Sequence, residues 1–256
     1  MNCATYNKKN KGSQLVYWTL NLTSFKVIKK SYEVVIQLNL DEMFDKWDGW
    51  LTILRKEILT LSVNRDIYYG INEIIKSNTK VQQIPSSFWL YQRITYEETQ
   101  LTAIRRLVKN NKDSISMIRL ISQIKDYPSV LSRTRYKDLY RNAHLPESYV
   151  NEQFEVFAGK GKNRDIINPE IFIKDFDELK QKATKIETMV DKTVAHFDQD
   201  QTSYIRPTYK EMDECIDLLE NLIQKYFLIF RAGNIDRIPD LGNDWRAIFK
   251  EPWINE

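Results

Sequence analysis

An all-α fold follows from three features of this 256-residue chain. Glycine and proline number only 7 each, too few for the turn-dense sequence of a β-sandwich or barrel. From Asp41 onward, apolar residues recur at steps of three and four with charged residues between them, the period of a helix with one buried face. Helix-start signals stand directly before these stripes, at Pro85-Ser86-Ser87, Asn168-Pro169-Glu170 and Thr208-Tyr209-Lys210-Glu211.

Residues 1–40 stand apart as an N-terminal arm. Leu15-Val16-Tyr17-Trp18 and Tyr32-Glu33-Val34-Val35-Ile36 are rich in β-branched and aromatic side chains, so this arm reads as a hairpin or irregular segment holding whatever strand the chain contains. Residues 41–256 read as the helical domain. Met43, Phe44, Trp47, Trp50, Leu51, Leu54, Ile58, Leu61, Ile67, Ile71 and Ile74 predict one long helix, or two in line, ending near Asn78. The next stripe, Phe88 to Leu107, follows Pro85-Ser86-Ser87, and Asp113 is positioned to cap a short helix carrying Ile115, Ile118, Ile121 and Ile124. Pro128 ends that helix or begins another that runs to about Ala143, and Gly159-Lys160-Gly161-Lys162-Asn163-Arg164 reads as a basic loop.

In Asn168-Pro169-Glu170 the Asn caps, the Pro suits the first helical position, and the Glu complements the positive end of the dipole. The helix it opens turns Phe172, Phe176, Leu179, Ala183, Ile186, Val190 and Val194 inward. The capping box Thr208-x-x-Glu211 opens another, from Met212 to Phe230, stopped at Gly233. These two read as antiparallel neighbours in a bundle. Trp245, Phe249 and Trp253 form a C-terminal aromatic lid.

Composition excludes several classes of function. The net charge of +3 is a small difference between 38 basic and 35 acidic residues, so the chain is no polycation. Cys3 and Cys215 are the only cysteines, which suggests neither a disulfide framework nor a cysteine zinc site and fits a reducing cytoplasm. No apolar run reaches the roughly 18 residues of a membrane span, and no secretory leader is evident. Phosphate-loop, zinc-protease, serine-hydrolase and kinase signatures are all missing. The acidic groups Asp175-Asp177-Glu178 and Asp213-Glu214-Asp217 fall on outward helix faces, so no metal and no cofactor is assigned.

Imidazole chemistry is restricted to His144 and His196. His144 follows Arg141-Asn142-Ala143 at a helix end, where histidine serves the last carbonyls. His196 lies at the margin of an apolar stripe, with Lys192 four residues before it on the same face. Arg105, Arg106 and Lys109, with Arg119 on the next helix, form the best basic patch; a solvated face and an RNA groove are its two readings.

The segments Leu54-Arg55-Lys56-Glu57-Ile58, Asn64-Arg65-Asp66-Ile67-Tyr68, Ile104-Arg105-Arg106, Asp113 to Leu120, Asp191 to Asp198 and Asp244 to Phe249, in that order, resemble the HEPN-like domain of the AbiU type, found among bacterial abortive-infection proteins. The resemblance covers about residues 41 to 253 and implies a HEPN-like helical bundle that forms a homodimer. It implies a metal-independent endoribonuclease, or a weakened descendant of one, linked to phage defence or toxin–antitoxin systems, with a cognate antitoxin or other defence partner. The catalytic histidine maps to His196 and the following polar position to Asp198. An arginine is wanted four to six residues' spacing before the histidine, where Asp191, Val190 and Met189 stand instead, with Val190 at the expected place and Lys192 as a substitute charge. The alternative is a HEPN-fold module that binds RNA or nucleotide, or directs assembly, without turnover.

Overall fold

The computed structural model describes residues 11–141, 144–159, 165–193, 205–233 and 245–251, with side chains from residue 39 onward. Its elements are α1 (Lys11–Ser77), α2 (Thr79–Gln82), α3 (Ser87–Val108), α4 (Met117–Asp126), α5 (Arg133–Leu139), α6 (Glu147–Ala158), α7 (Pro169–Thr193) and α8 (Tyr209–Arg231). Short 3₁₀ segments lie at Pro128–Val130 and Trp245–Lys250. Among the described residues there is no strand, only an isolated bridge between Ser132 and Ile166, and the protein is all-α.

Two compact units divide the chain, Met1–Asp45 and Lys46–Glu256. The first is helical from Lys11 on, which corrects the expectation of strand at residues 15–18 and 32–36, while residues 1–10 lie outside the described residues. A hairpin needs a turn between its strands, and no glycine or proline occurs between Gly12 and Gly49. With no turn to compete, helix propagates, and the β-branched residues prove a weak prior.

In the second unit, cross-helix bonds fix the topology. α1 and α8 run antiparallel, since Asp48 pairs with Arg231, Arg65 with Asp217 and Glu220, and Tyr69 with Asp213. α1 and α3 are antiparallel too: Glu57 meets Arg106, the Leu61 carbonyl accepts from Gln100, and Tyr68 stacks on Tyr96. α7 and α8 are antiparallel neighbours as expected, through Asp175 with Lys225, Lys182 with Glu214, and Lys185 with Glu211. α7 packs against α3, α4 and α8, the inner position of the bundle. Its buried stripe is Phe172, Asp175, Leu179, Ala183, Ile186 and Val190, which corrects the outward placement of Asp175, while Phe176 is half-buried and Val194 lies outside the described residues. Asp175 is tolerated there because Lys225 and the Tyr226 hydroxyl satisfy it.

The caps explain where the helices begin. Ser86 accepts from the Phe88 amide, and Thr208 and Glu211 close the capping box that opens α8. Asn168 Oδ1 accepts from the Glu170 amide at the start of α7. The cap of α4 is Ser116 rather than Asp113: the Ser116 hydroxyl accepts from the Arg119 amide and donates to the Lys109 carbonyl. α8 ends with Ala232, not Gly233, in the left-handed conformation (φ 52°). The Trp245 turn seats on α1 at Gly70, where a Cβ would come within 2.6 Å of the indole. Phe249 meets Trp245 edge-on, and Trp253 lies outside the described residues.

Between α1 and α8, one cation serves two carboxylates and a backbone carbonyl. Arg65 hydrogen-bonds Asp217 (2.7 Å), Glu220 (3.1 Å) and the Asp213 carbonyl (3.3 Å), while Ser62 donates to buried Glu220. Burial raises the Asp213 carboxyl above the ordinary range against the opposing pull of Tyr69 and Arg65. Its proton affinity is therefore higher folded than unfolded, and the stability it contributes is present below about pH 3.9 and lost as pH rises through the folded value. Asp213→Asn removes that loss while keeping an acceptor for Tyr69. In urea unfolding, the stability of the variant relative to wild type should rise between pH 4 and pH 7; a flat or falling difference contradicts the assignment.

Candidate functional site

Arg105 in the last turn of α3 and Lys109 at its C-cap stand four residues apart, and Glu187 and Asp191 one turn apart on α7, so each pair brings two like charges together. Where the faces meet, Arg105 donates to Asp191 through Nε and Nη2. Lys109 Nζ lies 2.6 Å from Asp191 and 3.3 Å from Glu187. Glu187 is reached from its own helix by Lys180. Burial works to raise the Asp191 carboxyl, but the bonds from Lys109 and Arg105 outweigh it and hold the group below the usual carboxylate range. Lys109 is raised, chiefly by its bond to Asp191.

This cluster closes the C-terminal end of α7. Thr193 returns its hydroxyl to the Met189 carbonyl (2.8 Å), and Lys192 occupies the last turn, half-buried. Lys192 is described, whereas His196 and Asp198 lie outside the described residues. Val190 is 2 % exposed, a core position. Asp191, one residue on, is at the surface of the bundle and touches α3. Of the places the family spacing allows for an arginine, 191 can hold a side chain at the charged seam and 190 cannot.

The other nominated residues separate from this cluster. Arg106 points across to Glu57 of α1 (3.0 Å). Arg119 donates to the Ser114 carbonyl and lies with Lys46 over the Trp50 ring, each 4.8 Å from its centroid. Of the four-residue basic patch, only Arg105 and Lys109 converge. His144 is exposed in a left-handed turn (φ 51°) between α5 and α6. Of the basic loop after α6, Gly159 is the C-cap and residues 160–164 lie outside the described residues.

Sequence reading missed Asp191 and Glu187 as partners of the patch. The signal was present as complementary spacing, two cations and two anions each four residues apart. Pairing them needed the knowledge that α3 packs on α7. A surface cleft of about 890 Å³ lies elsewhere, along α7 and α8, and mixes Lys174, Lys182 and Lys185 with Glu170, Asp177, Glu178, Glu211 and Glu214. Lys182 and Lys185 are paired there with Glu214 and Glu211, which leaves Lys174 against Glu170, Asp177 and Glu178, an acidic excess unsuited to a phosphate backbone. Among the described residues, no group of three His, Cys, Asp or Glu side chains is arranged to hold a metal ion, and no helix is long and apolar enough to cross a membrane.

The HEPN_AbiU2 family model, described as AbiU2, matches residues 44–248. No curated protein and no solved structure matches the chain.

The burial of Val190 reverses what the motif alone suggests, that an arginine introduced at 190 would restore a missing charge. Val190→Arg forces an unpaired guanidinium into a packed core and should cost about 3–5 kcal/mol. A large fall in the urea midpoint is the expected result. A folded, unshifted Val190→Arg protein would show that the α7 rotation is wrong.

Proposed function

The chain belongs to the HEPN AbiU2 family, and from that membership we propose that it acts on RNA in an abortive-infection system, with its active-site cation supplied by α3 rather than by α7. The observation that carries this reading is the convergence of Arg105 and Lys109 on Asp191. Four residues, Lys192 to Ala195, separate Asp191 from His196, a spacing the family allows for its arginine. An acid therefore stands where the arginine would be, and it gathers a guanidinium from the neighbouring helix to the same turn. At this seam the cations come from α3 and its C-cap and the acid from α7.

The chemistry this supports is transesterification. His196 takes the proton of a ribose 2′-hydroxyl, whose oxygen attacks the adjacent phosphorus. The bond from phosphorus to the 5′ oxygen breaks, and that oxygen receives a proton from an acid, leaving a cyclic phosphate and a free 5′-hydroxyl. Arg105 holds the charge that grows on the non-bridging oxygens, where a planar guanidinium is suited to grip two of them. Asp198 is the polar partner of His196, and Lys192 adds a point charge. The proposal includes a homodimer that brings two such stretches together, a cytoplasmic setting, and a cognate antitoxin or defence partner.

A second reading is a module that binds RNA without cutting it. Its support is the same geometry, since Asp191 and Glu187 already occupy much of the donor capacity of Arg105 and Lys109. The two readings separate on labelled single-stranded RNA. On the first, His196→Ala lowers the cleavage rate by about 10² to 10⁴ and Arg105→Ala by about 10² to 10³, with the fold retained. Affinity that falls with Arg105→Ala while wild type shows no cleavage selects the binding module. Wild type that neither binds nor cleaves RNA ends both.

A further inference from the structure

We propose that the groove between α1 and α3 is a single-strand track with a pocket for one unpaired nucleobase. The inference rests on the RNA-directed reading above and gives that reading a substrate class.

The pocket begins from a stack of tyrosines. Tyr68 and Tyr96 lie parallel, centroids 3.8 Å apart and planes within 2°. Tyr209 keeps the same orientation, 8° from Tyr68 and 10° from Tyr96, and is anchored through its hydroxyl to Glu97 (2.6 Å). Tyr68 and Tyr96 form one wall of a cavity of about 300 Å³, large enough for one planar ring system. Phe88 and Tyr91 stand at its rim, 50 % and 66 % exposed, an exposure unusual for rings of this size.

The polar groups have the chemistry of a base edge. Asn64, Gln92, Thr95 and Thr99 line the same cavity, and none has a side-chain hydrogen bond to a described residue. Tyr96 also lines it and is 7 % exposed, offering its ring. Stacked aromatic faces, free amides and free hydroxyls suit a flat heteroaromatic ring whose edge both donates and accepts. A purely aliphatic occupant would leave those amides unsatisfied.

The cavity continues into a second, about 380 Å³, sharing Asn64 and Thr99 and reaching Thr60, Thr102 and Arg106. From Gln92 to Arg106 along α3 is about 21 Å at 1.5 Å per residue, roughly four nucleotides, the low end of single-strand site sizes. Glu98 and Glu57 line this stretch. A carboxylate repels phosphate and accepts from the amino groups of bases, so the groove takes bases inward and leaves the backbone outside. The track runs toward the C-terminal end of α3, the end at which Arg105 meets α7 on another face of the helix.

Phe88→Ala with Tyr91→Ala tests this, because both rings are exposed and their removal leaves the core untouched. The probes are a fluorescent mixed-sequence single-stranded RNA 10-mer and the same strand in a duplex, read by anisotropy, with Val156→Ala on α6 as an exposed control. The single strand should bind wild type more tightly than the duplex, and the double variant should lose about tenfold or more in single-strand affinity, the control nothing. Wild-type RNA binding that the double variant keeps in full overturns the pocket and leaves the RNA-directed reading standing. Equal affinity for strand and duplex likewise overturns it. If the double variant keeps RNA affinity but loses self-association, the rings belong to a protein interface. A wild type that binds no RNA sinks the pocket together with the reading it rests on.

Discussion

Which way α7 is turned about its own axis decides what the bundle can offer at its charged seam. Phe172, Leu179, Ala183, Ile186 and Val190 are buried along one face of that helix. Glu187 and Asp191 each follow a buried residue by one position, so burying Ile186 and Val190 carries the two acids round toward α3. Burying such side chains is worth about 1.5–3 kcal/mol apiece. An ion pair at a partly exposed seam contributes about 1 kcal/mol or less. The core therefore sets the rotation, and the contacts of Asp191 with Arg105 and Lys109 follow from it. The same rotation closes position 190 to any charged side chain and leaves 191 open.

Where local signals agree, the fold is legible in the amino-acid sequence. Asn168-Pro169-Glu170 and the Thr208 to Glu211 capping box each satisfy exposed amides with neighbouring side chains, so they mark the starts of α7 and α8 without reference to the rest of the chain. The stripe from Phe172 to Val190 is equally clear, because the helical period dominates over a run of that length. The arm reads wrongly as a hairpin because β-branched residues express a preference only where a turn lets strands pair. α6 does not stand out: its buried Val150, Phe154, Phe157 and Ala158 make too short a stripe after Pro146. Ala232 takes the left-handed cap one residue before the glycine that seemed to require it.

The candidate site is legible in its parts but not in its pairing. Arg105 and Lys109 are visible as cations, and Asp191 is visible only as the absence of an arginine. Their meeting depends on α3 lying against α7, a long-range fact that no local pattern encodes. Arg106 and Arg119 look equivalent to Arg105 in sequence, yet they face Glu57 and Trp50 on other sides of their helices. Helical spacing separates faces; it does not say which face meets which neighbour.

The cluster is nearly neutral, two cations against Glu187 and Asp191 with Lys180 beside them, and the whole chain carries only +3. On the proposed reading, long-range attraction of RNA is weak, and recognition rests on short-range contacts along α3. The central claim is the proposal that Arg105 of α3 supplies the guanidinium for RNA cleavage. The charge-reversed pair Arg105→Asp with Asp191→Arg tests it most directly, because it rebuilds the seam with the arginine on α7 at the family spacing. RNA cleavage by the folded double variant within about tenfold of wild type, with each single variant reduced about 100-fold or more, is the result the account predicts. A folded double variant as inactive as either single one, or single variants that cleave like wild type, would contradict it.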